Sequence, residues 1–136
     1  MVGFMKTILR CVSFLWVASL LVACGMAPSR SGPAQDSLLA LGQQVYQATC
    51  ARCHGSRGEG QIGPALDRTG HAWHHPDQQI RDWIQNGKLG LQISMPGYSD
   101  ELGEAEIEAV VVFIKTWWDE EQRRVQADVT SRYRAP

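Results

Sequence analysis

Two cysteines and a histidine lie close together in the stretch QATCARCHGSRGEG, at Cys50, Cys53 and His54. This spacing is compatible with three chemistries: a redox-active dithiol, half of a zinc site, or the attachment point of a covalently bound haem. On a helix or tight turn, residues three apart face the same side, so both thiols can reach two vinyl groups of one porphyrin. The adjoining imidazole would then lie beneath the ring and offer its Nε2 to the iron.

The zinc and dithiol alternatives lack the residues that they need. A zinc site requires two further Cys or His ligands; there is no second CxxC, and His71, His74 and His75 are the substitutes that the chain offers. A thioredoxin-like dithiol is expected beside a βαβ pattern, and the sequence shows no plausible run of alternating strands. The sequence therefore predicts one haem c, attached through Cys50 and Cys53.

A low-spin electron carrier needs a second axial ligand, and Met95 is the candidate. It lies in the stretch ISMPGY, forty-one residues after His54. Soft thioether sulfur favours Fe(II) over Fe(III), so His/Met ligation raises the reduction potential. Pro96 restricts the local backbone, which suits a ligand carried by a loop. We predict His54 and Met95 as the two iron ligands.

The three remaining histidines, His71, His74 and His75, allow several interpretations. One of them could be the sixth ligand, which would give His/His ligation and a lower potential. They could also form an ancillary copper or zinc site, although the pattern HxxHH lacks a clear partner. We favour a polar loop near the haem propionates, in which Trp73 or a histidine donates hydrogen bonds.

The first 24 residues have the pattern of an export signal. Lys6 and Arg10 supply positive charge, and the thirteen residues 11–23 that follow carry none. That run is too short for a comfortable bilayer span and has the length of a signal-peptide hydrophobic segment. It ends in Leu21-Val22-Ala23-Cys24-Gly25, which resembles the lipobox of bacterial lipoproteins. An uncleaved anchor helix is the alternative, and both interpretations export the domain.

These features predict four segments along the chain. Residues 1–23 are a lipoprotein signal peptide, and 24–37 are a lipid anchor at Cys24 followed by a linker rich in Gly, Pro and Ser. Residues 38–118 are the folded domain, and 119–136 are a charged helical extension that remains solvated and frays. The domain would face the periplasm or the cell exterior, attached to a bacterial membrane.

Charge argues against a nucleic-acid partner. The chain carries fourteen acidic residues against thirteen Lys and Arg, for a net charge of −1. A nucleic-acid-binding domain needs a basic stripe, and none is visible in this pattern. The hydrophobic fraction of 44% is that of an ordinary globular protein.

Hydrophobic periodicity predicts an all-α domain. A first helix over 36–52 would be capped by Asp36 or Ser37. A short helix over 77–86 has Pro before it and Gly after it, the expected asymmetry of helix ends. The strongest helix is predicted from about 104 to 120, with apolar residues at i, i+3, i+4, i+7 and i+11: Ile107, Val110, Val111, Ile114 and Trp118.

Four motifs in this order resemble the class I cytochrome c family, of the small bacterial mono-haem type. The resemblance covers about Leu39 to Trp118. The motifs are Gly42-x-x-x-Tyr46-x-x-x-Cys50, Gly63-Pro64-Ala65-Leu66, Met95-Pro96 and Glu106-Ile107-x-x-Val110-Val111-x-Phe113-Ile114.

The resemblance implies three to four helices around a covalent haem and a close helix crossing at Gly42. It also implies that the carbonyl of Pro64 accepts a hydrogen bond from Nδ1–H of His54, and that Met95 lies on the distal ligand loop. The implied function is a membrane-tethered one-electron carrier that is not an enzyme, with weak and transient redox partners; it could serve an oxidoreductase as a subunit or partner. The alternative is a haem-based gas sensor or small haem enzyme with an open or His-ligated distal site.

Overall fold

The computed structural model describes residues 32–90 and 94–134, and these form helices joined by loops. The predicted signal peptide and Cys24 lie outside the described residues. The α-helices of the described residues are α1 (Pro33–Val45), α2 (Ala51–His54), α3 (Asp77–Asn86), α4 (Glu104–Ile114) and α5 (Glu120–Arg132). Shorter turns are a π-helical Tyr46–Cys50 and 3₁₀ turns at Ala72–His74 and Lys115–Trp117. Within the described ranges the extended pairing is one isolated antiparallel bridge, Lys88 with Met95. The all-α prediction is confirmed.

The first helix begins earlier than the sequence predicts. Gly32, in extended conformation, precedes α1, and Pro33 occupies its first turn. Proline suits this position because its missing N–H would have no intrahelical partner there. The predicted caps Asp36 and Ser37 are therefore inside the helix, and the last five residues of the predicted linker are helical.

Helices α1 and α4 cross at Gly42 and enclose the core. A Cβ atom built on Gly42 would lie 2.1 Å from the carbonyl oxygen of Ala109 in α4. The glycine therefore allows the two backbones to approach closely. Buried side chains from both helices and the following π-helical turn pack around this crossing: Val45, Tyr46, Ile107, Val110, Val111 and Ile114.

We expect Gly42→Ala to destabilise the folded protein by about 3 kcal/mol or more, because relieving this overlap requires the two helices to separate. Urea denaturation of the haem-containing protein measures the loss. Gly32→Ala is the control, since a Cβ at Gly32 would meet nothing within 4 Å; we expect it to change the unfolding free energy by less than about 1 kcal/mol. Equal stabilities of the two variants would contradict the close crossing.

Helix α3 has the predicted bounds, and its Ile80 and Ile84 are buried in the core. Its first residue, Asp77, accepts a hydrogen bond at 2.7 Å from Lys115 Nζ, beyond the end of α4. This partly buried ion pair joins α3 to the segment that follows α4. The pair holds the start of α3 against the 3₁₀ turn Lys115–Trp117.

The C-terminal part of the domain differs from the prediction of a single helix to residue 120. Helix α4 ends at Ile114, and Trp118 has an extended backbone after the 3₁₀ turn. Trp118 is only 2% exposed, and its indole N–H donates to the carbonyl oxygen of Leu66 at 2.8 Å. Burial of Trp118 was predicted correctly. The prediction that the helix continues through Trp118 was wrong, because its indole bonds to a carbonyl oxygen fifty-two residues away in the sequence.

The charged extension is a helix attached to the domain. Asp119 accepts a hydrogen bond from the backbone N–H of Gln122 at 2.9 Å and caps α5. Gln126 is only 2% exposed, and its amide donates to the carbonyl oxygen of His75 at 3.3 Å and to Asp77 Oδ1 at 2.5 Å. The structure therefore differs from the expected solvated, fraying segment, because Gln126 anchors α5 beside the start of α3.

Across residues 32–90 and 94–134, none of the helices combines the length and the apolar character that crossing a bilayer requires.

Candidate functional site

The CARCH stretch crosses from the π-helical turn into α2. Cys50 ends the turn, and Cys53 and His54 lie in α2, which stops at Gly55, where φ is 84°. This positive φ suits glycine and turns the chain away directly after the histidine. Both cysteines are half-buried with free thiols, and His54 is 8% exposed.

These residues border a cavity of about 420 Å³. The cavity brings together all five residues that the sequence predicts for the cofactor site: Cys50, Cys53, His54, Pro64 and Met95. Its other walls are largely apolar, and the buried contributors come from α3 and α4: Ile80, Ile84, Val110 and Ile114.

His54 is held in one tautomer by a backbone carbonyl. Its Nδ1 lies 2.8 Å from the carbonyl oxygen of Pro64. A carbonyl only accepts hydrogen bonds, so Nδ1 carries the proton and Nε2 keeps its lone pair. A Cβ on Gly63 would lie 2.8 Å from His54 Cε1, so glycine is needed where the backbone passes the ring. The hydrogen bond implied by the family resemblance is present.

The thiol environment distinguishes among the three chemistries of a CxxC pair. Burial, and secondarily the neighbouring Cys53, raises the pKa of the Cys50 thiol to about 11. A reactive dithiol or a zinc thiolate requires a lowered thiol pKa, since the thiolate is the reactive and metal-binding form. Among the described residues, no group of three or more His, Cys, Asp or Glu side chains is arranged to hold a metal ion. The dithiol and zinc interpretations are therefore disfavoured.

The same residues fit a covalently attached haem c. The two thiols are three residues apart at the edge of an apolar cavity, and the histidine with a free Nε2 follows the second thiol. A largely apolar porphyrin would fill the space that these side chains leave. The donors among the predicted site residues are two sulfurs for thioether bonds, the imidazole of His54 and the sulfur of Met95.

Tyr46 stabilises the CARCH turn through a hydrogen bond to Gly55, a role that the sequence did not reveal. Its side chain is fully buried, and its hydroxyl donates to the carbonyl oxygen of Gly55 at 2.7 Å. Burial raises the pKa of Tyr46, so the phenol stays neutral and remains a donor. Its position one turn before Cys50 was visible in the sequence, but the partner carbonyl across the turn was not.

We expect Tyr46→Phe to lower the unfolding free energy by about 0.5–1.5 kcal/mol, because the buried carbonyl of Gly55 loses the shorter of its two hydrogen bonds and keeps the one from the backbone N–H of Gly58 at 3.2 Å. Chemical denaturation of the haem-containing protein measures this, and the visible spectrum should stay unchanged. Tyr98→Phe is the matched control, since burial of Tyr98 is only partial. A larger loss in the control than in Tyr46→Phe would contradict the supporting role.

A short antiparallel pairing positions Met95 at the cavity wall. The backbone N–H of Lys88 donates to the carbonyl oxygen of Met95 at 3.0 Å, and the reverse bond is 2.9 Å. Gly87, with φ of 80°, precedes this pair, and a Cβ there would lie 2.6 Å from the Met95 oxygen. Lys88 Nζ lies 3.7 Å from the centroid of the Trp83 ring. The turn after α3 thus returns the chain to the cavity.

The three histidines have different surroundings in the structure. His71 and His75 border the cavity. His75 Nδ1 lies 2.8 Å from Gln79 Oε1, and its ring packs edge-on against Trp83. Trp73, expected as a donor to the propionates, gives its indole N–H to the carbonyl oxygen of Gly70 at 2.9 Å instead.

Comparisons with known proteins agree with this site. The relatives include subunit CcoP of a cbb3-type cytochrome c oxidase from Azospirillum sp., which is 28% identical over 95 residues (63% of this chain and 31% of the relative). Chloroplastic cytochrome c6 of Chlamydomonas reinhardtii is 34% identical over 102 residues (71% and 63%). Cytochrome c-551 of Bacillus subtilis is 31% identical over 74 residues (51% and 64%). The chain thus spans less than two thirds of the length of each of these relatives.

Solved structures agree on the fold. Cytochrome cL from Methylophaga aminisulfidivorans has a TM-score of 0.57 at 16% identity, with 82% of this chain and 85% of that chain covered. The c-type cytochrome XoxG from Methylobacterium extorquens has a TM-score of 0.52 at 19% identity, with 68% and 67% covered. The predicted cytochrome c fold is therefore confirmed.

The family model described as "Cytochrome C oxidase, cbb3-type, subunit III" matches residues 37–114, which is more than half of the chain. This range contains the thiol pair, His54 and the whole cavity wall up to the end of α4. The cofactor prediction agrees with it: one haem c, attached covalently through Cys50 and Cys53 of a CxxCH motif. The chain therefore belongs to the cytochrome c family.

Proposed function

We propose that this protein is a one-electron carrier in which His54 and Met95 are the two axial ligands of the haem iron. The observation that carries the proposal is the position of the two side chains, which border the same apolar cavity, with Nδ1 of His54 bonded to Pro64. Bound haem supplies a one-electron iron couple. The apolar walls exclude water, and the hydrogen bond from Nδ1 raises the basicity of Nε2.

The composition of the cavity wall favours a carrier over a haem enzyme. Among the described residues that line the cavity, there is no carboxylate. A distal general acid–base pair built from a histidine and an acidic residue therefore has no second member there. His71 and His75 do line the cavity, and they support the competing proposal of a His-ligated or open distal site that would sense gas.

The names of the relatives suggest the class of partner. Two are small cytochromes, and the third is named as a subunit of a cbb3-type cytochrome c oxidase. We propose that this chain exchanges electrons with such an oxidoreductase through weak, transient docking, which suits a carrier that must leave quickly. The protein would turn over no substrate of its own, and no nucleic acid is proposed as a partner.

Attachment to a membrane rests on the sequence alone. We propose that the mature chain begins at Cys24, carries lipid there and faces the periplasm or the cell exterior. In an expressing bacterium supplied with an alkyne-tagged fatty acid, we expect the tag on the wild-type protein and its loss in Cys24→Ser. Equal labelling of both proteins would contradict anchoring through this thiol.

Spectroscopy and a redox titration test the carrier proposal. We expect sharp α and β bands in the reduced protein, with haem absorption that stays with the chain after denaturation because the attachment is covalent. The oxidised protein should show the weak far-red band of sulfur–iron ligation, and the titration should follow a one-electron curve. Rapid CO binding without the far-red band would contradict the proposal and favour the gas sensor.

A further inference from the structure

Two exposed imidazoles meet at the rim of the cavity. His71 precedes the 3₁₀ turn Ala72–His74, and His74 ends it. Their Nδ1 atoms are 3.4 Å apart and share a long hydrogen bond, in which the imidazole with a proton on Nδ1 donates to the other. The rings are inclined by 29°, with centroids 5.5 Å apart. Two ligand atoms of the kind that Zn²⁺ and Cu²⁺ prefer thus lie side by side, facing solvent.

The separation of the nitrogens can be compared with metal geometries. Imidazole nitrogen binds zinc at about 2.0–2.1 Å, so two corners of a tetrahedral site lie about 3.3–3.4 Å apart. Neighbouring corners of a square-planar site with similar bonds lie only about 2.9 Å apart. The observed 3.4 Å agrees with the tetrahedral value. We propose that a Zn²⁺ ion binds the Nδ1 atoms of His71 and His74 and replaces the proton between them, with solvent in the other two positions. The displaced proton leaves to solvent, and each ring then carries its proton on Nε2.

The surrounding contacts hold the His74 ring and the backbone turn that joins it to His71 before any metal binds. The His74 ring packs on Trp73 with centroids 3.5 Å apart. Trp73 is itself held by its indole hydrogen bond to the carbonyl oxygen of Gly70. The backbone N–H of His74 donates to the carbonyl oxygen of His71 at 3.1 Å. Because the turn is already formed, the ordering of these side chains on metal binding would cost little free energy.

His75, the third histidine of the cluster, is outside this pair. Its Nδ1 is engaged with Gln79, and its ring packs against Trp83. The described residues contain no group of three or more metal-binding side chains of the His, Cys, Asp and Glu type. The site is therefore open, with two protein ligands, and binds a metal that exchanges with solution. His75 supplies the matched control for the pair.

The test is calorimetric titration of the haem-containing protein with zinc chloride. Zinc is redox-inactive, so it leaves the oxidation state of the protein unchanged. We expect saturable binding of one ion, and at least a roughly tenfold loss of affinity in His71→Ala and in His74→Ala. The remaining imidazole makes one bond to the metal, and the second, intramolecular bond that raises the affinity is lost. The double variant should bind no tighter than either single one. His75→Ala should bind as the wild type does.

Three results would overturn the proposal. The first is no saturable binding by the wild type, and the second is undiminished affinity in the two single variants. The third is a loss in His75→Ala as large as in His74→Ala, which would place the metal elsewhere in the cluster. His74 is not among the residues that line the haem cavity, so His74→Ala should keep the visible spectrum of the wild type while it loses zinc affinity. A failure of the zinc site is therefore distinguishable from a failure of the carrier proposal.

Discussion

We expect the double variant Cys50→Ser/Cys53→Ser to lose covalent haem and, with it, the packed tertiary structure of the domain. The largely apolar cavity beside these residues has a volume of about 420 Å³. An enclosed empty cavity of that size would cost about 10 kcal/mol at about 24 cal/mol per Å³, which is the upper limit for this cavity because it opens to solvent. Domains of this size are stable by only about 5–15 kcal/mol in total. The cofactor is therefore part of the core, and its loss removes most of the stability.

Near-UV circular dichroism of the purified double variant measures this effect. Trp83, which borders the cavity, and Trp118, which is buried in the core, report on side-chain packing there. The single variant Cys53→Ser is the control, because one thioether through Cys50 and the imidazole of His54 remain available to retain haem. A haem-free double variant with the near-UV spectrum and urea midpoint of the wild type would contradict the structural role of the cofactor.

The parts of the fold that were predicted depend on signals close together in the chain. Helix α3 begins after Pro76 and ends before Gly87, so local backbone preferences define both ends. The end of α4 was missed for the opposite reason. Trp118 continues the helical spacing of apolar residues, yet its indole bonds to Leu66 on a distant segment. Hydrophobic periodicity reports burial and carries no information about such partners.

The contrast between local signals and distant partners also holds for the candidate site. The thiol pair and His54 form one local motif, and their placement beside the cavity follows from three neighbouring positions. The hydrogen bond from Tyr46 to Gly55 depends on the chain reversing after α2. Attachment of α5 depends on Gln126, a buried polar residue in a segment whose composition predicts a solvated surface. Polar networks of this kind are satisfied by residues about fifty positions away, so the sequence pattern does not reveal them.

We expect replacement of Met95 to lower the reduction potential and to open the distal side. Met95→Leu keeps nearly the same side-chain volume and removes the sulfur, and Met95→Ala removes the side chain as well. Loss of a soft thioether ligand removes its preference for Fe(II). Axial ligands set haem potentials over a range of about 0.8 V, so we expect a fall on the order of a hundred millivolts or more in both variants. The far-red band should disappear, and CO should bind to the reduced protein.

The control for this prediction lies in the same loop. Leu89 also borders the cavity but is 91% exposed, and its side chain offers the iron no donor atom. Leu89→Ala should therefore keep the potential and the far-red band of the wild type. If Met95→Leu keeps them as well, the sixth ligand is a different residue, and His71 and His75 are the other donors at the cavity wall. Loss of the native spectrum in His71→Ala or in His75→Ala alone would then identify that ligand. A spectrum that changes in Met95→Leu and in neither histidine variant assigns the iron to the sulfur of Met95.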